Sequence, residues 1–173
     1  MARSHTAVVP AGSMCCGRPL YDYGMLRLAR RLLHRVLDAL REEIRAGTPV
    51  VALEPSCGAV FRNELGNMLP ADEDAKRLAR QTYTLGEFLA RPAGDWEMPR
   101  LERTALVHFH CHQRATSDTG CDRAVLDRLG LDYEVLEAGC CGLAGSFGYE
   151  RGERYEVSIK ASERVLLPRI REA

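Results

Sequence analysis

Apolar residues recur at three- and four-residue steps between residues 23 and 46, at Leu26, Leu33, Val36, Leu37, Leu40 and Ile44, with arginines between them. That period predicts an amphipathic helix with a solvated basic face carrying Arg30, Arg31, Arg35 and Arg41, closed by Gly47. The run Pro49-Val50-Val51-Ala52-Leu53 is continuously apolar and rich in β-branched residues, the signature of a short buried parallel strand. Ala7-Val8-Val9-Pro10 reads as the end of another strand. Helical patterns follow at 59–68, 72–81 and 85–90. After them the logic repeats: a strand at 105–109, a helix at 122–129, a strand at 133–136 and a helix from about 153 to 170.

Pro92, Gly94 and Pro99 punctuate the chain between these two series. The expected organisation is therefore a first lobe over 1–91, a linker over 92–103 and a second lobe over 104–173. The fold class is α/β: two pseudo-symmetric small βα lobes with short parallel sheets and loops gathered at the carboxyl ends of the strands.

Composition narrows the function. Lys and Arg number 24, as do Asp and Glu, so no basic surplus exists to neutralise a phosphate backbone, and nucleic acid is not an expected partner. Apolar residues at 46% of the 173 are enough for a core. The longest uncharged stretch, 4–17, is interrupted by Pro10 and Gly12 and is too short to span a bilayer. Arg3 is not followed by the apolar core of a secretory signal, which predicts a cytoplasmic context.

Seven cysteines then stand out, because an odd number in a reducing compartment argues for metal or redox chemistry over a disulfide framework. Two adjacent cysteines followed by glycine occur twice, at Cys15-Cys16-Gly17 and Cys140-Cys141-Gly142. Soft thiolates select iron–sulfur clusters, zinc or Cu(I), and glycine lets the backbone bend close to the metal. Cys57 and Cys111 lie where strands should end. Duplicated lobes predict one site each in preference to a single site built from both. A helix after each Cys-Cys-Gly loop would aim its positive end at a thiolate-bound cluster. Cys121, at a predicted helix start, reads as a small buried hydrophobe.

The segments Cys-Cys-Gly-Arg-Pro-Leu-Tyr-Asp (15–22), Leu-Glu-Pro-Ser-Cys (53–57), Phe-Arg-Asn-Glu-Leu (61–65), His-Phe-His-Cys-His-Gln (108–113) and Gly-Cys-Cys-Gly-Leu-Ala-Gly-Ser-Phe-Gly-Tyr-Glu (139–150) together resemble the cysteine-rich CCG domain family of heterodisulfide reductases and glycolate oxidase iron–sulfur subunits. The closest resemblance is to the carboxyl-terminal iron–sulfur part of bacterial FAD-linked oxidases. The resemblance implies a [4Fe-4S]-type cluster held by Cys15, Cys16 and Cys57 in the first half and Cys111, Cys140 and Cys141 in the second. In such domains each half supplies an early cysteine, the pair and a later cysteine. The first half lacks the early one and the second the late one, so the chain is expected to be a fragment. The resemblance further implies an FAD domain outside this sequence, a flavin dehydrogenase domain or subunit as partner, and a membrane quinone or similar acceptor, with peripheral attachment at the inner face of the membrane. This segment would carry electrons and leave oxidation of a lactate-, glycolate- or 2-hydroxyglutarate-type acid to the flavin part.

Two competing functions share the same residues: a structural zinc module closed by three cysteines and a histidine, and a thiol–disulfide reductase using the vicinal pairs, which adjacent cysteines form only with backbone strain. No acid–base pair or nucleophile triad is evident for chemistry on carbon. His110 and His112 flank Cys111 and would share a strand face opposite it, available to orient a ligand or carry protons, whereas His108 reads as a strand position. Gly139, Gly142, Gly145 and Gly148 keep a three-residue rhythm better explained by crowding around the cysteines than by a phosphate cradle. Arg18, Tyr21, Asp22, Glu54 and Arg62 are polar residues placed to line a pocket or to pin the loops.

Overall fold

The computed structural model of the chain describes residues 6–91 and 98–173; residues 92–97 of the expected linker lie outside the described residues. The architecture is α/β, built on two two-stranded parallel sheets with helices around them. In the first sheet β1 (Val50–Ala52) pairs with β2 (Thr82–Thr84), Val50 opposite Thr82. In the second, β3 (Thr104–Val107) pairs with β4 (Asp132–Val135), Thr104 opposite Asp132. Cys57, Cys111 and Cys140 follow β1, β3 and β4 within a few residues, so these cysteines sit beyond the carboxyl ends of parallel strands, as the pattern predicts.

The basic amphipathic segment folds as two helices, α2 (Leu26–Ala39) and α3 (Arg41–Ala46), preceded by the single turn α1 (Arg18–Asp22). The division falls at Leu40, whose ψ of 11° leaves the helical range while its side chain turns into the core. Gly47 closes α3 in the left-handed conformation, φ 74°, which glycine adopts without a Cβ penalty. Leu33, Ile44, Leu65 and Leu78 are at most 1% exposed and centre the first core, with Val36 and Val60 beside them. The arginines at 30, 31, 35 and 41 face outward.

Several boundaries differ from expectation. Val8 and Val9 form no strand and are 72% and 88% exposed, since no neighbouring strand among the described residues accepts their backbone. Glu54-Pro55-Ser56-Cys57-Gly58, which by composition reads as a loop at the end of the strand, is instead the first turn of a helix: Pro55 occupies its first position and Glu54 caps it, giving α4 (Pro55–Ala59). A π-helical turn (Val60–Glu64) and α5 (Leu65–Met68) continue it. Asp72 caps α6 (Glu73–Gln81) through the Ala75 N–H at 3.0 Å. The sequence pattern does not predict β2, whose three residues carry no readable period. Thr84 then opens α7 (Leu85–Ala90) with a reciprocal capping box to Glu87.

In the second half His110 caps α8 (Cys111–Thr116), so β3 stops before His108 and the strand-face argument for His110 and His112 does not apply. Asp118 caps α9 (Thr119–Arg128). The long terminal helix is divided into α10 (Glu153–Ser162) and α11 (Leu166–Glu172), because Pro168 has no N–H to give the carbonyl four residues back and its ring would clash there. The second core is thin: Leu136, Ala138 and Leu166, with Leu106 and Cys141 against it.

The halves meet most closely where α7 crosses α9. A Cβ built on buried Gly86 would lie 2.4 Å from Asp122 Oδ1 and 3.0 Å from the Asp122 Cα, so only glycine permits this approach. An apolar cavity of about 230 Å³ adjoins the crossing, lined by Leu85, Leu89, Val107, Phe109, Val125 and Leu126. Replacing Gly86 with Val should force the helices apart and cost about 1–3 kcal/mol by overpacking, measured as a lower denaturant midpoint in equilibrium unfolding.

Candidate metal centre

The first Cys-Cys-Gly turn is held from behind. Gly17, at φ 80°, donates its N–H to Cys15 Sγ at 3.4 Å, and a Cβ there would press on the Ala29 backbone of α2 at 3.2 Å. Cys15 faces solvent while Cys16 is buried. Cys16 meets Cys57, which lies in the first turn of α4 with its N–H on Glu54 Oε2 at 2.6 Å. A sulfur-to-sulfur hydrogen bond from Cys57, opposed by burial and assisted by the Arg18 N–H, pulls Cys16 down to about 7, whereas the same bond and burial push Cys57 well up. Partial burial of the Glu54 carboxyl would raise its pKa, but the Ser56 and Cys57 amides outweigh it and hold the group below the usual carboxylate range.

Arg18 pairs with Glu64 at 2.9 Å and with Asp22 at 3.3 Å and lies over the Tyr21 ring at 5.8 Å. Of the two roles the sequence leaves open for Arg18, Tyr21, Asp22 and Glu54, lining a pocket or pinning the loops, the structure shows the second. Arg62 is a brace as well. Emerging from the π-turn, it donates to the Thr82 carbonyl at 2.9 and 3.0 Å, to both Glu87 oxygens and to Ser117 Oγ at 3.1 Å, tying β2, α7 and the second half together.

The second turn repeats the first at the sulfur. Gly142, φ 88°, donates its N–H to Cys140 Sγ at 3.3 Å, and a Cβ there would fall 2.2 Å from the Ser158 carbonyl oxygen of α10. Cys140 is exposed and Cys141 half-buried. No α-helix follows directly, contrary to expectation. Residues 143–146 turn, with Ala144 at φ 42°, into a 3₁₀ turn (Phe147–Tyr149) before α10 begins. A helix N-terminus therefore follows the first turn only. Gly148 also lies against Ser158 and Gly145 against Asp22, so two more members of the glycine rhythm answer to crowding, while around Gly139 the space is open.

Cys111 opens α8 and is exposed. His110 Nδ1 accepts the His112 N–H at 3.1 Å, and the two rings meet edge to face at 5.2 Å between centroids. Both reach Ser56: its Oγ lies 3.4 Å from His110 Nε2 and 3.0 Å from His112 Nδ1. Burial holds His110 below its ordinary pKa, favouring the neutral ring. His108 leaves a buried Nδ1 without a partner among the described residues. Ser56 carries no motif of its own in the sequence, although its place between Pro55 and Cys57 in a helix-opening turn marks it as a side chain near the sulfur.

The structure thus brings Cys16 to Cys57 and leaves Cys15, Cys111 and Cys140 facing solvent. Among the described residues no three His, Cys, Asp or Glu side chains stand close enough together to hold a metal ion. Cys121 is half-buried on α9 with its thiol pushed up, first by burial. The donor set fits a thiophilic metal: all seven cysteines are free, one thiol is drawn toward ionisation, and each pair has an amide aimed at its leading sulfur.

Twin Cys-Cys-Gly turns, with Cys57 and Cys111 just beyond the ends of short parallel strands, define a cysteine-rich α/β module. Residues 2–62 match the family model of the cysteine-rich domain, CCG. The chain is 28% identical over 161 residues to lactate utilization protein A of Bacillus subtilis, covering 87% of this chain and 65% of that protein. It is also 28% identical over 149 residues to one of the subunits of the anaerobic glycerol-3-phosphate dehydrogenase of Escherichia coli K12, covering 83% of this chain and 37% of that protein. The chain therefore spans just under two thirds of the first relative and little over a third of the second. No solved structure matches it.

The Arg62–Glu87 pair predicts a pH-dependent loss. Burial opposes ionisation of Glu87, but Arg62 and the Thr84 N–H prevail and hold the carboxyl below its usual range. Its contribution is fully present above the unfolded-state value of about 4.3 and fades as pH falls through the depressed folded value. Arg62→Gln should cost about 2–3 kcal/mol at neutral pH, with the gap to the unmodified protein narrowing below about pH 4 in urea titrations.

Proposed function

We propose that this chain is an iron–sulfur electron-transfer unit of an oxidoreductase, with Cys15, Cys16, Cys57, Cys111, Cys140 and Cys141 as the cluster ligands and a first lobe over 1–91 joined to a second over 104–173. The observation that carries the reading is the repeated turn. In both halves a positive-φ glycine sends its N–H to the sulfur of the first cysteine of a vicinal pair. Such a bond stabilises a thiolate and raises the potential of a cluster that the sulfur holds. A [4Fe-4S] cluster would supply one-electron chemistry. The chain's own groups would set its surroundings: Arg18 and the α1 amides place positive charge beside Cys16, while Glu54 fixes the Cys57 turn by accepting its N–H.

The relatives' names, a lactate utilization protein and a dehydrogenase subunit, support placing the unit beside a dehydrogenase; that this partner is flavin-containing, acts on a 2-hydroxy acid and passes electrons on to a quinone or similar acceptor is part of the same proposal. Among the described residues no helix is long and apolar enough to cross a membrane, and the contact with a membrane acceptor is proposed as peripheral or made through a partner. In this reading Cys15, Cys16, Cys57, Cys111, Cys140 and Cys141 would hold a cluster that accepts electrons one at a time, and oxidation at carbon would be left to another part of the enzyme.

Anaerobic reconstitution of the chain with ferrous iron and sulfide tests the proposal. The expected product is brown, contains iron and acid-labile sulfide in near-equal amounts and gives an electron paramagnetic resonance signal on reduction. Colourless protein carrying stoichiometric zinc and no sulfide would overturn it.

A further inference from the structure

We infer that the chain docks directly on an anionic lipid surface through the outer face of α2, which deepens the peripheral membrane contact proposed above and needs no bound cluster. Arg27, Arg30, Arg31 and Arg35 are exposed on this helix, and at 3.6 residues per turn they fall within about 140° of its circumference. Ala29, Leu33, Val36 and Leu37 occupy the far side, in the core. None of the four guanidiniums has a partner among the described residues. The carboxylates nearest to them in sequence, Asp22 and Asp38, are already engaged by Arg18 and Arg41. In a chain whose net charge is zero, the stripe is a local excess of positive charge.

What flanks the stripe favours lipid over an acidic protein. Leu26 and Leu28 stand on either side of Arg27 in the first turn, with Tyr23 and Met25 just before them, and these four side chains are 44% to 54% exposed. Tyr23 is held through its hydroxyl by Glu150 and Ser146, so this apolar end of the face is braced from the second half. An acidic protein would have to set a carboxylate opposite each arginine. Lipid phosphates are mobile and reach all four, while the acyl boundary accepts the leucines and Met25. Arginine suits both zones, because its stem lies along apolar surface while the guanidinium stays with the phosphates. The Cys15-Cys16-Gly17 turn rests on Ala29, on the opposite side of α2 from the arginines. In this pose one helix diameter, about 10–12 Å, separates that turn from the headgroups.

Co-sedimentation of the full chain with large unilamellar vesicles tests the surface. The chain is expected to bind vesicles of equal parts phosphatidylglycerol and phosphatidylcholine, to leave them as salt rises, and not to bind pure phosphatidylcholine. Arg27→Gln with Arg31→Gln should weaken partitioning about fivefold per arginine removed. Leu26→Ser with Leu28→Ser should weaken it at unchanged net charge. Arg80→Gln with Arg103→Gln removes the same charge from exposed positions elsewhere and should leave binding nearly unchanged. Equal binding to neutral vesicles, equal losses from the two arginine pairs, or undiminished binding of the leucine variant overturns the lipid face. No binding to the mixed vesicles also overturns it and leaves the stripe to an acidic protein. Circular dichroism checks the fold of each variant; should one fail to fold, the lipid and salt dependence of the unmodified chain decides. Iron and sulfide content is measured separately, so the iron–sulfur reading stands or falls without this one.

Discussion

Two parallel strands cannot sustain a fold unaided, and each half of this chain has only two among the described residues. The first half meets the constraint with a helical core around Leu33, Ile44, Leu65 and Leu78. The second has Leu136, Ala138 and Leu166 and must find support elsewhere. It finds it on its neighbour, through α9 pressed on α7 at Gly86, α8 set against α4, and Arg62 reaching across to Ser117. Because Cys57 and Cys111 open the helices that follow β1 and β3, the docking of α8 on α4 that supports the second half also sets these two cysteine-bearing helices side by side.

Much of this fold is legible where a local rule decides the outcome. Val50-Val51 announces a buried strand, Gly47 a helix end, and the apolar steps from Leu26 to Ile44 a helix with an inner face. The helix opening at Cys57 is equally open to reading, since Pro55 suits the first helical position and Glu54 the cap, but a proline followed closely by Gly58 also has the composition of a loop. Other differences are tertiary in origin. Val8-Val9 has the composition of a strand and no partner, Leu40 leaves helical geometry to fill the core, and Thr82–Thr84 is a strand only because Val50–Ala52 runs beside it.

The candidate site divides along the same line. The six cysteines can be chosen from spacing and repetition, because thiolate chemistry marks its residues by type. What braces them cannot: Ser56 against His110 and His112, or Tyr23 against Ser146 and Glu150, are contacts between segments tens of residues or more apart in sequence. Arg18, Asp22, Glu54 and Arg62 stand out as polar residues near the motifs, and only the structure separates lining a cavity from pinning a turn.

The glycines of the twin turns have a mechanical meaning. Gly17 rests on the backbone of α2 and Gly142 on that of α10, each too close for any side chain to intervene. Both turns are thus backed by a helix, which blocks their inward movement. Rotation about the cysteine Cα–Cβ bonds then offers each sulfur a way to reach a metal without displacing that helix.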